Sequence, residues 1–256
     1  MVRCNFLFKQ FSVFFSAVSL SLFLLVCASP ARAQNFPLDS ASEDRHAEDT
    51  VSVRDLSIPP KAFENFQRGL QELQKHDPSR SIQFFNKAIH KYPQYYEAYY
   101  HLGVAQKRLG QDDKATTAFQ TAINLSNGKY ALAEYGYALL LCEQGKIKDA
   151  EQTVRYALEL DQDRPMGEVV LGTVLLYEHR PDEAEKTARD ALSLDPNTAD
   201  AYLVLAGIHG ELGNYSGEVD DLNAFLNIEP QSSRSGTVRG IRDVAVSLAA
   251  HTSNNK

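Results

Sequence analysis

The sequence has no tryptophan, only two methionines and three cysteines, and fewer basic than acidic residues. Its 26 lysines and arginines face 33 aspartates and glutamates, which gives a formal net charge of -7. This charge argues against a general nucleic-acid-binding protein, because neutralising phosphates requires a dense basic surface. Fourteen glycines and ten prolines are too few for a collagen-like or low-complexity chain. The composition, 43% hydrophobic and 23% charged, is that of an ordinary globular protein.

Motifs of common catalytic and metal sites are also missing. The Gly-Lys pairs that start at Gly128 and Gly145 continue into Tyr130 and Ile147, so neither is a phosphate-binding loop. The seven histidines form no His-x-x-x-His pair and adjoin no cysteine cluster, which excludes a zinc site of local spacing. No Gly-x-Ser-x-Gly nucleophile motif occurs either. We therefore predict a protein without enzymatic activity, cofactor or metal ion.

The first 33 residues have the three-part pattern of a secretory signal peptide. Two basic residues precede a mostly apolar stretch at residues 11–28, and small side chains at Ala31 and Ala33 suit a cleavage site. We predict cleavage after Ala33 and export to the periplasm or another part of a bacterial cell envelope. The alternatives are a lipoprotein modified at Cys27 and an uncleaved N-terminal membrane anchor.

Cysteine content fits such an exported protein. Cleavage removes two of the three cysteines and leaves Cys142 as the one thiol of the mature chain. A single cysteine forms no intramolecular disulfide, so packing must supply the stability. Because Cys142 follows three consecutive leucines, we predict a buried apolar side chain and not a reactive nucleophile.

Residues 34–60 form an acidic leader, for which we predict flexibility. Its end is different, since Val51, Val53, Leu56 and Ile58 form a short, partly alternating apolar run. Such a run can pair as a strand or occupy a groove, either of its own chain or of a second copy.

From residue 61 onwards the sequence repeats with a period of thirty-four or thirty-five residues. A small residue recurs in phase at Gly69, Gly103, Ala138, Gly172 and Ala206. Twelve residues after each of these come Ser81, Ala115, Ala150, Ala184 and Glu218. Nineteen residues after each come Ala88, Ala122, Ala157, Ala191 and Phe225. Small residues at fixed spacing let paired helices approach closely, and only the last unit departs from the pattern.

These residues resemble the tetratricopeptide repeat family. In one unit the resemblance rests on Tyr99, Leu102, Gly103, Gly110, Ala115, Phe119 and Ala122. In another it rests on Leu171, Gly172, Ala184, Ala191 and Pro196. The resemblance implies an all-α fold: a right-handed α-solenoid of about five helix-turn-helix repeats. The absence of tryptophan and the presence of Glu218 in place of alanine depart from the family pattern.

After Pro230, the amphipathic spacing of apolar residues predicts a C-terminal capping helix that packs on the fifth unit through Val238, Ile241, Val244, Ala245 and Leu248. The predicted organisation is a signal peptide at 1–33, a leader at 34–60, the repeat array at 61–232, a capping helix at 233–250 and a disordered tail at 251–256. The five units are placed at about 62–95, 96–130, 131–164, 165–198 and 199–232.

The resemblance also implies that the first helix of each unit lines the inner, concave face. On that face we predict a mostly apolar partner-binding groove made of Phe66, Tyr100, Val104, Lys107, Arg108, Tyr135, Leu139, Val169, Leu176, Tyr177 and Leu203. Two readings of these side chains stay open at this stage. They either bury each other between adjacent first helices or accept a helix or an extended peptide. With Lys107 and Arg108 as its only basic residues, the groove is not expected to clamp a terminal carboxylate.

We therefore predict an exported, nonenzymatic scaffold that docks a peptide or helix of a protein partner in the cell envelope. Docking would take place on a preformed curved surface. The alternatives are a noncatalytic regulatory subunit of an envelope peptidase or cell-wall hydrolase, and a cell-wall glycan binder. Neither the partner nor the oligomeric state, self-association included, is specified by the sequence.

Overall fold

The computed structural model describes residues 57–161 and 164–253. The signal peptide, the leader up to Leu56 and the last three residues lie outside the described residues, so the predictions made for them stay predictions. The described part is helical throughout, with eleven helices and no strand. Among these helices, none combines the length and the apolar composition needed to cross a membrane.

Ten of the helices form five successive pairs, and the eleventh follows the last pair. The helices are α1 (Pro60–Gln74), α2 (Pro78–Lys91), α3 (Tyr96–Arg108), α4 (Asp112–Leu125), α5 (Ala131–Glu143), α6 (Ile147–Leu160), α7 (Pro165–Tyr177), α8 (Pro181–Leu194), α9 (Ala199–Glu211), α10 (Tyr215–Ile228) and α11 (Ser235–Ser253). The two helices of a pair pack together, and the second helix of each pair packs on the first helix of the next. This is the solenoid that the repeat period predicts.

Glycine lets the two helices of a pair come close together. A Cβ atom on Gly103 would lie 2.7 Å from a ring carbon of Phe119, and one on Gly69 would lie 2.4 Å from the ring of Phe85. Both rings are fully buried. In the first two units the small residue that marks the repeat therefore makes room for a phenylalanine ring sixteen residues later.

The turn inside each pair ends with a residue in the left-handed backbone region. Three units use glycine there, with φ between 68° and 75° at Gly110, Gly145 and Gly213. The other two place His76 and His179 at the same repeat position, with φ of 58° and 56°. A side chain in this region costs about 1 kcal/mol, so the turn geometry is imposed by the packing of the flanking helices.

The apolar core consists of two clusters. The larger cluster runs from Ala62 to Ile208 through the first four pairs and α9. The smaller one belongs to the fifth pair and the start of α11, and its buried members are Ala199, Ala206, Leu222, Phe225, Leu226 and Val238. The C-terminal end of the array thus has a core of its own.

Helix α11 packs on α10 and buries Val238 and Ala245 against it. Arg234, just before the helix, is 3% exposed and forms an ion pair with the equally buried Asp200 of α9. Its guanidinium carbon also lies 5.0 Å from the centre of the Phe225 ring. The helix continues to Ser253, three residues into the tail for which disorder is predicted, and the Thr252 hydroxyl donates a hydrogen bond to the Ala249 carbonyl.

Candidate partner-binding face

The first helices of consecutive pairs contact each other from α1 to α9 and form one layer of the solenoid. Along each of them, residues at i, i+4 and i+7 form what we call the inner row. Its members are Phe66-Leu70-Leu73, Tyr100-Val104-Lys107, Tyr135-Leu139-Cys142, Val169-Thr173-Leu176 and Leu203-Gly207-Gly210. The predicted groove consists of nine of these residues together with Arg108 and Tyr177, which follow the row in their helices.

Most of the predicted groove is closed. Eight of its eleven residues are buried: Phe66, Tyr100, Val104, Lys107, Tyr135, Leu139, Val169 and Leu176. Only Arg108, Tyr177 and Leu203 are partly exposed. The expected open groove around Tyr100 and Tyr135 is therefore not observed, because neighbouring first helices and the rings between them fill that space.

Tyr100 and Tyr135 illustrate how the row closes. The Tyr100 ring packs edge-on against Tyr130 at 5.5 Å between ring centres, and it is 1% exposed. Tyr135 is fully buried, and a Cβ atom on Gly167 would lie 2.4 Å from its hydroxyl oxygen. Burial raises the pKa of the Tyr135 hydroxyl. Both rings therefore join consecutive repeats, and a partner contact through either one remains a prediction.

An aromatic seam closes the N-terminal end of the row. The imidazole of His101 lies 5.4 Å from the Phe66 ring and 5.8 Å from the Phe85 ring, measured between ring centres. Burial, together with a smaller effect of the positive charge of Arg108, lowers the pKa of His101 to about 3. The imidazole is therefore neutral and packs as another ring of the seam.

The two basic groups of the predicted groove make contacts within the array. The Nζ atom of Lys107 pairs with Glu143 of the next unit and lies 3.1 Å from Asp112 Oδ1. Arg108 donates a hydrogen bond of 3.0 Å to the Leu73 carbonyl, at the end of α1. Both side chains therefore join helices of the array.

The inner row is open at its C-terminal end. Leu203, Gly207 and Gly210 of α9 are partly exposed. Thirty-four residues after Gly207 and Gly210, at the same repeat positions, stand Ile241 and Val244 of α11, which are partly exposed and 44% exposed, respectively. Leu203 and Ile241 both pack against the smaller core cluster. We call Leu203, Gly207, Gly210, Ile241 and Val244 the C-terminal face.

The sequence contains a signal for this extension. Adding the repeat period to the row of α9 gives the positions of Ile241 and Val244, whereas the interpretation of α11 as a cap placed both on its packing stripe. Val238 and Ala245 are the residues that pack on α10, and Val244 points away from that contact, as its exposure shows. The amphipathic pattern of α11 therefore holds for Ile241, which packs against the smaller core cluster, and fails for Val244.

A buried acidic side chain adjoins the C-terminal face. Glu218 of α10 is 6% exposed, and a Cβ atom on Gly210 would lie 3.3 Å from its carboxyl carbon. Burial raises the pKa of Glu218 to about 7, while the charge of His209 lowers it in part. His209 itself is hydrogen-bonded through Nδ1 to Asp221 Oδ2, at 2.7 Å. Near neutral pH, the Glu218 side chain is therefore present in both its protonated and its ionised form.

Other surface features give weaker indications of a binding site. Tyr156, Leu160 and Leu194 on the second helices are 43% to 47% exposed, but isolated apolar side chains are normal on protein surfaces. A shallow hollow between α4 and α5 is lined by Gln120, Ile123, Asn124, Glu134 and Tyr137. Within residues 57–161 and 164–253, no three His, Cys, Asp or Glu side chains are placed to hold a metal ion, and Cys142 is buried.

Comparisons with known proteins agree with this architecture. Two family models, both described as tetratricopeptide repeat, match residues 84–117 and 169–233. A Thermus thermophilus tetratricopeptide repeat protein, TTC0263, is structurally similar with a TM-score of 0.65 and 18% identity, over 72% of this chain and 98% of that one. PilW, described as a type IV pilus biogenesis factor, has a TM-score of 0.60 and 15% identity, over 77% of this chain and 94% of its own.

A human protein O-mannosyl-transferase, TMTC3, is 26% identical over 151 residues, which is 52% of this chain. The match spans 16% of the transferase, so the chain covers about a sixth of the length of that relative. The identity to the solved structures is below 25%, and those likenesses show the fold alone.

Proposed function

Because the chain belongs to the tetratricopeptide repeat family, whose members bind protein partners and are generally noncatalytic, we propose that it is a protein-protein interaction scaffold. The observation that carries the proposal is the open C-terminal end of the inner row. There Leu203 and Val244 offer apolar contact, and the partly exposed Gly207 lets a partner approach the backbone of α9 closely. A peptide or helix of the partner docks on this surface.

A partner then binds the concave layer of first helices, as the sequence predicts, but it contacts the C-terminal end of the array and not its centre. Around Tyr135 a partner would have to displace packing between repeats, which costs stability. At the C-terminal face the apolar side chains are already partly exposed, so docking removes them from water without opening the array.

Photocrosslinking tests this location. A photoreactive amino acid in place of Leu203 is expected to attach a distinct protein in cells, identified by mass spectrometry. The matched control carries the same amino acid in place of Leu194, which is 45% exposed but lies on a second helix. Adducts at both positions with the same set of proteins, or no adduct at Leu203, would contradict docking on the C-terminal face.

We also propose that the scaffold works in the cell envelope after export. The signal-peptide pattern of residues 1–33 supports this, and so does the single buried thiol that remains after cleavage. The structural likeness to a pilus biogenesis factor is compatible with it. The identity of the crosslinked protein separates a scaffold from a regulatory subunit of an envelope peptidase or hydrolase, and pull-down on purified cell wall tests glycan binding.

Intact mass and fractionation test the export. A mature protein that begins at Gln34 is the expected product. A diacylglycerol mass increment at Cys27 would establish the lipoprotein, and an unprocessed chain in the membrane fraction would establish the anchored form. An unprocessed chain in the cytoplasm would contradict export.

A further inference from the structure

Glu218 stands at a repeat position that holds a small residue in every other unit. The four earlier units have Ser81, Ala115, Ala150 and Ala184 there, and these side chains are fully buried between the paired helices. A glutamate is too long for this space. Its carboxyl group extends along α9 to Gly210, where both oxygens would lie 3.3 to 3.4 Å from a Cβ atom. The carboxyl group thus lies directly beside the space that a side chain of residue 210 would enter.

That place belongs to the inner row. Gly210 has the same repeat position as Lys107, whose ammonium group is neutralised by Glu143 and Asp112. The fifth unit therefore carries an acidic group where the second unit carries a basic one. In the second unit the array supplies the counterions itself.

The fifth unit supplies no such partner among the described residues. No hydrogen bond or ion pair joins the Glu218 carboxyl group to any of them, and its neighbour His209 is bonded to Asp221 instead. Of the cations on the elements around it, Arg189 of α8 acts on Asp221. Arg234, before α11, is held by Asp200 and Glu229. Burying an ionised carboxylate that has no ion-pair partner costs desolvation free energy. A cationic group of a bound partner would offset that cost.

We propose that Glu218 and the adjoining apolar surface of Leu203 recognise a partner segment in which a lysine or arginine lies next to an apolar side chain. This inference rests on the proposed docking function and names the chemistry of the partner. The cation is a side chain and not a metal ion, since no group of three ligating side chains is placed for a metal in the described residues. The net charge of -7 also favours approach of a basic segment.

The apolar part of the site lies on one side of the carboxylate. Leu203 precedes Gly210 by about two turns of α9 and Gly207 precedes it by about one turn, so an apolar anchor on Leu203 and a cation at Glu218 stand roughly 10 Å apart along the helix. That separation matches a helical segment with the two side chains one to two turns apart, or an extended one with them three residues apart.

Two peptide libraries provide the test. In both, ten-residue peptides carry a fixed leucine, followed three, four or seven residues later by lysine in one library and by norleucine in the other. Norleucine keeps an apolar chain and lacks the charge. The full chain is expected to retain the lysine library at least about tenfold better, as a charge-assisted hydrogen bond would provide. The preference should be larger at pH 8 than at pH 5.5, because Glu218 is ionised at the higher pH.

Matched variants assign the preference to one residue. Glu218→Gln keeps the shape of the side chain and should abolish the preference for lysine. Asp220→Asn removes an exposed carboxylate two residues away on the same helix and should leave the preference unchanged. Circular dichroism confirms that each variant is folded. Equal retention of both libraries, or a preference that survives Glu218→Gln, would overturn the cation site and leave the docking function standing. Retention of neither library would count against both.

Discussion

The second and fifth helix pairs share one backbone arrangement and differ in what fills it. In the second, Ala115 lies fully buried, and Lys107 closes the inner row by pairing with the next unit. In the fifth, Glu218 takes the position of the alanine and Gly210 the position of the lysine. The row is closed in the second pair and accessible in the fifth. The two units therefore present different groups at the same two repeat positions: an ion-paired lysine in the second, and a buried carboxyl group beside a glycine in the fifth.

The largest effect is expected from the loss of the buried ion pair between Arg234 and Asp200. Arg234→Met removes the buried guanidinium and leaves Asp200 without its ion-pair partner, which should lower the free energy of unfolding by about 4 kcal/mol. Urea denaturation followed by circular dichroism measures this. Arg239→Met, an exposed position in α11, should change the value by less than about 0.5 kcal/mol. Similar values for the two variants would show that the ion pair does not fasten α11.

The next largest effect is expected from a substitution that disturbs the packing of the two helices in the second pair. Gly103→Ala drives a methyl group into the Phe119 ring and should cost about 3 kcal/mol in the same measurement. Gly240 is its matched control, because it has the same repeat phase but no atom within 4 Å of a Cβ built on it. Gly240→Ala should stabilise α11 by about 0.5 to 1 kcal/mol through helix propensity. A loss of stability at Gly240 would mean that a further element covers that face.

The smallest expected effect comes from Glu218→Gln, which removes the titratable charge that the fifth pair has and the second pair lacks at this position. In the folded chain the pKa of Glu218 is about 7, above its ordinary value of 4.5. Between pH 4.5 and pH 7, Glu218 therefore stays protonated in the folded state and ionises in the unfolded state. The free energy of unfolding consequently falls as the pH rises through this range. Relative to Glu218→Gln, the natural chain should lose on the order of 2 kcal/mol between pH 4.5 and pH 8. Parallel pH profiles for the two proteins would contradict the raised pKa.

Much of the fold is readable from the sequence because small residues recur in phase. Gly103 and Ala122 indicate paired helices, and turn glycines mark where three of the five pairs reverse. The closing of the groove is not readable in the same way. Whether Tyr135 is exposed depends on how closely consecutive first helices approach, and that distance is set by side chains in other units, such as the missing one of Gly167.

The acidic site shows the same limit. The sequence identifies Glu218 as a departure from the repeat, but not the direction in which its side chain extends. The carboxyl group lies where a side chain at residue 210 would crowd it, and those two residues belong to different helices. The pairing of Arg234 with Asp200 also joins consecutive units, one repeat period apart, and no local pattern points to it.

The separate core of the fifth pair and α11 gives the molecule two units of local stability. A cluster with six buried members, from Ala199 to Val238, contributes less to cooperativity than the long cluster before it. Amide hydrogens of α10 and α11 should therefore exchange through partial opening, while those of α3 and α5 exchange only through global unfolding. A ligand that binds the C-terminal face would then slow exchange in one part of the chain and leave the rest unchanged, so exchange rates also report occupancy.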